Sequence, residues 1–170
     1  MRALIFFISC LAAVMLTSCA SYHLGSVKGT VAGEKSVTIL PFNNQTLQPR
    51  LGAALTQSLR ERLQTDGTFR LATRGDGDLV LTGVIQNYQR EGLGLLSTDV
   101  TTPGSYRDSV IVHVTVRDRA SGKLLLEKNV KGYTLVSIGT DLASAERQIV
   151  SLLAEDLARN ITTLLSEGTW

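Results

Sequence analysis

Ser109-Val110-Ile111-Val112-His113-Val114-Thr115-Val116-Arg117-Asp118 decides the fold. It is rich in β-branched residues and long enough to read as a full strand. Ser121-Gly122 follows as a turn, and the chain returns as a strand from Lys123 to about Val136, a hairpin partner. Alternation on that return is partial, so its register stays open. Upstream, Asp78-Leu79-Val80-Leu81-Thr82-Gly83-Val84-Ile85-Gln86-Asn87-Tyr88 is a second strong strand. Residues 91–106, rich in Gly, Ser, Thr and Pro, read as the connection between these two strands.

Further out the pattern changes period. Residues 48–65 place Leu51, Ala54, Leu55, Leu59 and Leu63 at helical spacing, with Asp66-Gly67 as the stop. Before that helix, Val37-Thr38-Ile39-Leu40-Pro41-Phe42 is a strand, ended by Pro41 and the turn-forming Asn43-Asn44. After it, Phe69-Arg70-Leu71-Ala72 is a short strand, and a polar loop with Gly75 and Gly77 leads on. The last element starts at Thr140 or Asp141, either a suitable cap, and runs to about Ser166. Leu142, Ala145, Ile149, Leu152, Leu153, Leu157, Ile161, Leu164 and Leu165 make one apolar stripe along it, a core face. The order predicts an α+β two-layer sandwich: a small mixed sheet of about four strands with two helices on one face.

At 170 residues the chain has room for one such domain and a leader. Its 17 basic and 15 acidic residues nearly balance, which argues against nucleic acid as a partner. Arg2 followed by Leu4-Ile5-Phe6-Phe7-Ile8 and Leu11-Ala12-Ala13-Val14-Met15-Leu16 is too short to span a membrane, which takes about 20 apolar residues, but suits an export signal. Leu16-Thr17-Ser18-Cys19 resembles the lipobox of bacterial lipoproteins, whose cysteine sulfur receives a diacylglycerol before cleavage. The resemblance implies a signal peptide over residues 1–18, lipid attachment at Cys19, and a third acyl chain on the new amino terminus. Each buried CH₂ adds about 0.8 kcal/mol of anchoring. Cys10 lies in the leader and is discarded with it. Residues 19–35, with Gly25, Gly29 and Gly33, form the lipidated end and a tether, and residues 36–170 form one periplasmic domain. No aspartate follows Cys19, where Ala20 and Ser21 stand. By proteobacterial sorting rules this implies the inner leaflet of the outer membrane.

Catalytic chemistry is not in view. His23 falls in the tether and His113 in a strand, with no second domain histidine to share a metal, and no metal or cofactor is expected. Patterns such as GxSxG, the P-loop and the Rossmann fingerprint are missing. Asp76, Asp78, Asp99 and Asp108 read as solubilising loop carboxylates. Binding remains. Leu93, Leu95 and Leu96 sit in the glycine-rich connection, where they either fold back on the core or form an apolar tip that meets a lipid or a partner. Arg107, Arg117, Arg119, Lys123, Lys128 and Lys131 line the hairpin, either facing lipid phosphates or guarding a sheet edge against aggregation.

Cys19 with Tyr22-His23-Leu24-Gly25 just after it resembles the opening of LptE, the lipopolysaccharide-assembly lipoprotein family, with one extra residue before the aromatic. The Val37–Thr46 strand ending in Pro41-Phe42-Asn43-Asn44-Gln45-Thr46, the Asp78–Tyr88 strand and the closing helix before Trp170 are similar to LptE-like proteins too. This implies a non-catalytic outer-membrane lipoprotein that plugs an LptD β-barrel and binds lipopolysaccharide. Better-known members carry basic residues in the loops before the second long strand and the last helix. Residues 92–105 and 137–140 have none here, which leaves Arg90 and Arg107, at the borders, as the lipopolysaccharide candidates. The same strand–helix–strand start also resembles periplasmic lipoproteins that activate peptidoglycan synthases or build secretion assemblies.

Overall fold

In the computed structural model, which describes residues 33–96, 99–137 and 142–168, Val110, Val112, Val114 and Val116 are all fully buried. The residues between them face the other side. Their strand is β5 (Asp99–Asp118), flanked by β4 (Leu79–Leu96) and β6 (Leu124–Ser137). Before these come β1 (Ser36–Ile39), β2 (Asn43–Asn44), helix α1 (Leu51–Asp66) and β3 (Arg70–Leu71), and helix α2 (Leu142–Ser166) closes the chain. Among the described residues one six-stranded sheet results, in the order β3-β1-β4-β5-β6, with β2 beside β4. β1 pairs in parallel with both β3 and β4, whereas β4–β5 and β5–β6 are antiparallel. The expected α+β class holds. The strand number exceeds the expected figure of about four: the short strand expected at Phe69–Ala72 is present as β3, and Asn43-Asn44 adds β2.

Asn43-Asn44 is not the turn expected of it. Leu40 N–H bonds to Leu81 O and Gln45 N–H to Ile85 O, both at 3.0 Å, so the chain keeps to the edge of β4 on either side of Pro41. Proline lacks an N–H and merely interrupts the ladder. Phe42 is buried at this break, over Gly83. A Cβ at Gly83 would lie 2.7 Å from the Phe42 ring and 2.7 Å from His113 O, so this position has room for hydrogen alone.

Both helices cover one face. α1 buries Leu51, Leu55, Leu59 and Leu63, four apart, and stops where Gly67 takes φ 73° and returns its N–H to Leu63 O at 3.2 Å. α2 buries Ala145, Ile149, Leu153, Leu157, Ile161 and Leu165, most of the expected stripe, while Leu152 and Leu164 are partly buried. Its expected caps, Thr140 and Asp141, lie outside the described residues. Opposite them in the sheet stand Leu79, Leu81, Ile85 and the β5 valines. On the far side of β1, Ser36 and Thr38 are also buried, roofed by the loop into β4. Gly77 N–H donates to Thr38 Oγ1 at 2.9 Å, and Asp78 Oδ2 accepts from Ser36 Oγ at 2.7 Å. Asp78 is therefore no simple solubilising carboxylate. The hydrogen bonds from the Ser36 hydroxyl and amide hold it below the ordinary aspartate pKa. No described helix is long and apolar enough to cross a membrane.

Candidate functional site

Toward one end of the sheet β6 stays beside β5 as far as the Ser105–Ser137 pair, and beyond it β4 and β5 continue as a two-stranded arm. Gln86 stands opposite Ile111 and Gln89 opposite Ser109, so Asn87 and Tyr88 share the place facing Val110. This is a β-bulge, and Asn87 carries the φ of 56° that it needs, in a region asparagine tolerates. One extra residue exchanges the two faces of everything after it. Before the bulge the odd-numbered residues of β4 are inside. After it Arg90 comes opposite Asp108, on the helix side, and Glu91 opposite Arg107, on the outer side.

The ladder then runs on through Gly92–Tyr106, Leu93–Ser105 and Leu95–Pro103 to Leu96–Asp99. The connection expected over 91–106 is therefore strand, apart from 97 and 98, which lie outside the described residues. Glycine, serine and threonine supply no alternation to read, yet their backbone groups pair as well as any.

A polar cluster closes the base of this arm. The Asp108 side chain is fully buried, and its Oδ1 accepts from Arg90 Nε at 2.7 Å and from the Tyr88 hydroxyl. Arg90 Nη2 donates to the Tyr88 oxygen at 3.1 Å, and the guanidinium lies 5.8 Å from the centre of the Tyr106 ring. Burial, with the hydrogen bond and charge of Asp108, pushes the Tyr88 phenol up to about 12, so it stays a donor. Asp108 Oδ2 has no hydrogen-bond partner among the described residues. The cluster ties three residues across the bulge and fixes the register beyond it.

A family model described as LptE, lipopolysaccharide-assembly, matches residues 34–165. The chain belongs to the LptE family. In shape this LptE-family domain is similar to several solved structures. A protein of Chlamydia trachomatis, 14% identical, superposes with a TM-score of 0.57 over 78% of this chain and 95% of that one. The rare lipoprotein B of Shewanella oneidensis, 16% identical, gives 0.51 over 77% and 93%. Lipoprotein B of Nitrosomonas europaea, 12% identical, gives 0.53 over 78% and 82%. At these identities the likeness is one of fold. Comparison with curated protein sequences gives no match.

Within the LptE-family span, the two arginines singled out from sequence part company. Arg90 has Nε and Nη2 engaged at the arm base. Arg107, on the opposite face, is 47% exposed and 3.7 Å from the still more open Glu91, a loose surface pair. Leu93 is partly exposed, and its carbonyl accepts from Ser105 Oγ at 3.1 Å. The backbones of Leu95 and Leu96 belong to β4, but their side chains lie outside the described residues, as does Cys19. The hairpin cations are dispersed: Arg107, Arg117 and Lys131 alternate on the outer sheet face with Glu91 and Glu127. Asp108, Tyr88 and Tyr106 were missed as site residues. Asp108 had a signal, since it shares parity with the four buried valines two, four, six and eight residues on.

His113 also lies on the outer face, Nδ1 2.8 Å from Asn129 Oδ1 and Nε2 2.9 Å from Glu127 Oε1. The Asn129 bond first, then Glu127, raises its pKa above 6.5. A raised pKa gives stability that is full below the unfolded value and is lost as pH climbs through the folded one. His113→Gln should thus lower the urea midpoint at about pH 5.5 more than at about pH 8.5. An equal loss at both would refute this.

Proposed function

We propose that this chain is an outer-membrane lipoprotein, anchored through acyl chains on Cys19, which partners an LptD-type β-barrel and assists lipopolysaccharide delivery without catalysis. The family match over residues 34–165 carries the reading. The arm is the element suited to the contact: it runs on beyond the end of β6, is set by a buried cluster, and bears Leu93, Leu95 and Leu96 toward its end. Arg107, open and only loosely paired, is the anion contact for a lipid phosphate, while Arg90 acts mainly through the arm base.

Affinity purification of the full chain from native membranes should recover a large outer-membrane barrel. Recovery of a peptidoglycan synthase in its place would overturn the proposal in favour of the other periplasmic lipoprotein class. Photocrosslinkers at Leu95 and Arg107 should label lipopolysaccharide, and silence at both removes direct contact. Cys19→Ser should abolish incorporation of labelled fatty acid into the chain, and undiminished labelling would overturn the anchor.

A further inference from the structure

β6 ends the sheet order, so among the described residues one edge of its 14 residues has no neighbouring strand. Open edges of that length template pairing with other chains unless something covers them. Here α2 covers the middle. Tyr133 N–H donates to Asp156 Oδ2 at 3.1 Å, and Lys131 O accepts from Asn160 Nδ2, also at 3.1 Å. Asn160 Nδ2 lies 3.3 Å from Asp156 Oδ2 as well, joining the two side chains. The helix comes this close because residue 132 is glycine: a Cβ there would stand 2.6 Å from Leu157 Cγ.

If Lys131 and Tyr133 turn their backbone groups outward, strand periodicity turns those of Glu127, Asn129 and Leu135 outward too. All five are exposed. Their order has a symmetry. Two copies of β6 placed antiparallel with Asn129 on the twofold axis bring Glu127 of each opposite Lys131 of the other. Moving the axis to Lys131 would instead set lysine against lysine. Charge thus selects one register. We infer that the free edge of β6 is a strand-pairing surface for a second copy of this chain, centred on Asn129 and held shut by Asp156 and Asn160. Such a pair is isologous and closed, and so stops at two chains.

The test uses the full chain in detergent with Asn129→Cys, which puts two thiols across the axis at about 5.5 Å between Cα atoms, within disulfide reach. The same chain without that change controls for Cys10 and Cys19. Adding D156A and N160A should raise the disulfide-linked dimer about tenfold over N129C alone, a shift worth roughly 1.4 kcal/mol. K131E in that background should abolish the gain, and E127K with K131E should restore it. No gain in a variant that keeps its far-UV spectrum overturns the inference, and so does a gain indifferent to K131E. If the double variant loses its fold, N160A alone, which frees only the Lys131 carbonyl, carries the same comparison.

Discussion

Leu157→Ala should lower the unfolding free energy by about 4 kcal/mol, toward the upper end of what a buried leucine costs when truncated. Leu157 is fully buried and rests directly on Gly132. The height of the estimate comes from that contact. A void left under α2 can shrink only if neighbours move in, and glycine has no side chain to offer. Urea unfolding should show a fall in midpoint with unchanged slope. Leu47→Ala is the control: Leu47 is 98% exposed, and its loss should stay within about 0.5 kcal/mol. A cost below about 1 kcal/mol for Leu157→Ala would mean that the helix is not seated on the sheet as described.

Arg90→Ala has the second largest effect, about 3 kcal/mol, the low end for breaking a buried pair because Arg90 is itself 32% exposed. The loss is mostly the penalty of leaving Asp108, wholly buried, with the Tyr88 hydroxyl alone. That account makes a sharper demand. Removing the whole cluster as Y88F/R90M/D108L should recover most of the stability, to within about 1 kcal/mol, since no buried charge is then stranded. If the triple variant is as unstable as Arg90→Ala, the cluster owes its effect to shape and not to charge. Hydrogen exchange separates the arm from the core. Arg90→Ala should deprotect the amides of Leu93 and Ser105 well before those of Val112 and Val114.

How far residues alone led depended on whether their pattern was local. The leucines of α1 and the stripe of α2 recur at helical spacing, so each helix was legible to within a few residues. The β5 valines told that a strand was there. Nothing local told that the strand begins as early as Asp99, because pairing through Gly92, Gly94 and Pro103 is decided across the ladder. The bulge was harder still. Asn87 and Tyr88 look like the end of a strand, whereas the single residue added there turns Arg90 inward to meet a carboxylate 18 positions away. Arg90 was picked for its border position, and the structure adds Asp108 as its partner within the domain. The lipid anchor at Cys19 rests on sequence pattern alone, outside the described residues.

The parallel seating of β1 has a bearing on how the domain forms. β4, β5 and β6 are joined by a tip and a tight turn, and can assemble from chain neighbours. β1 has to be wedged between β3 and β4, with Val37 finding Leu79 across 42 residues. Contacts that distant repay their ordering entropy only late. The first described strand is therefore made first and takes its place among the last. Until β4 is ready, Val37 and Ile39 remain exposed apolar surface, and that interval is when a chaperone has most to hold.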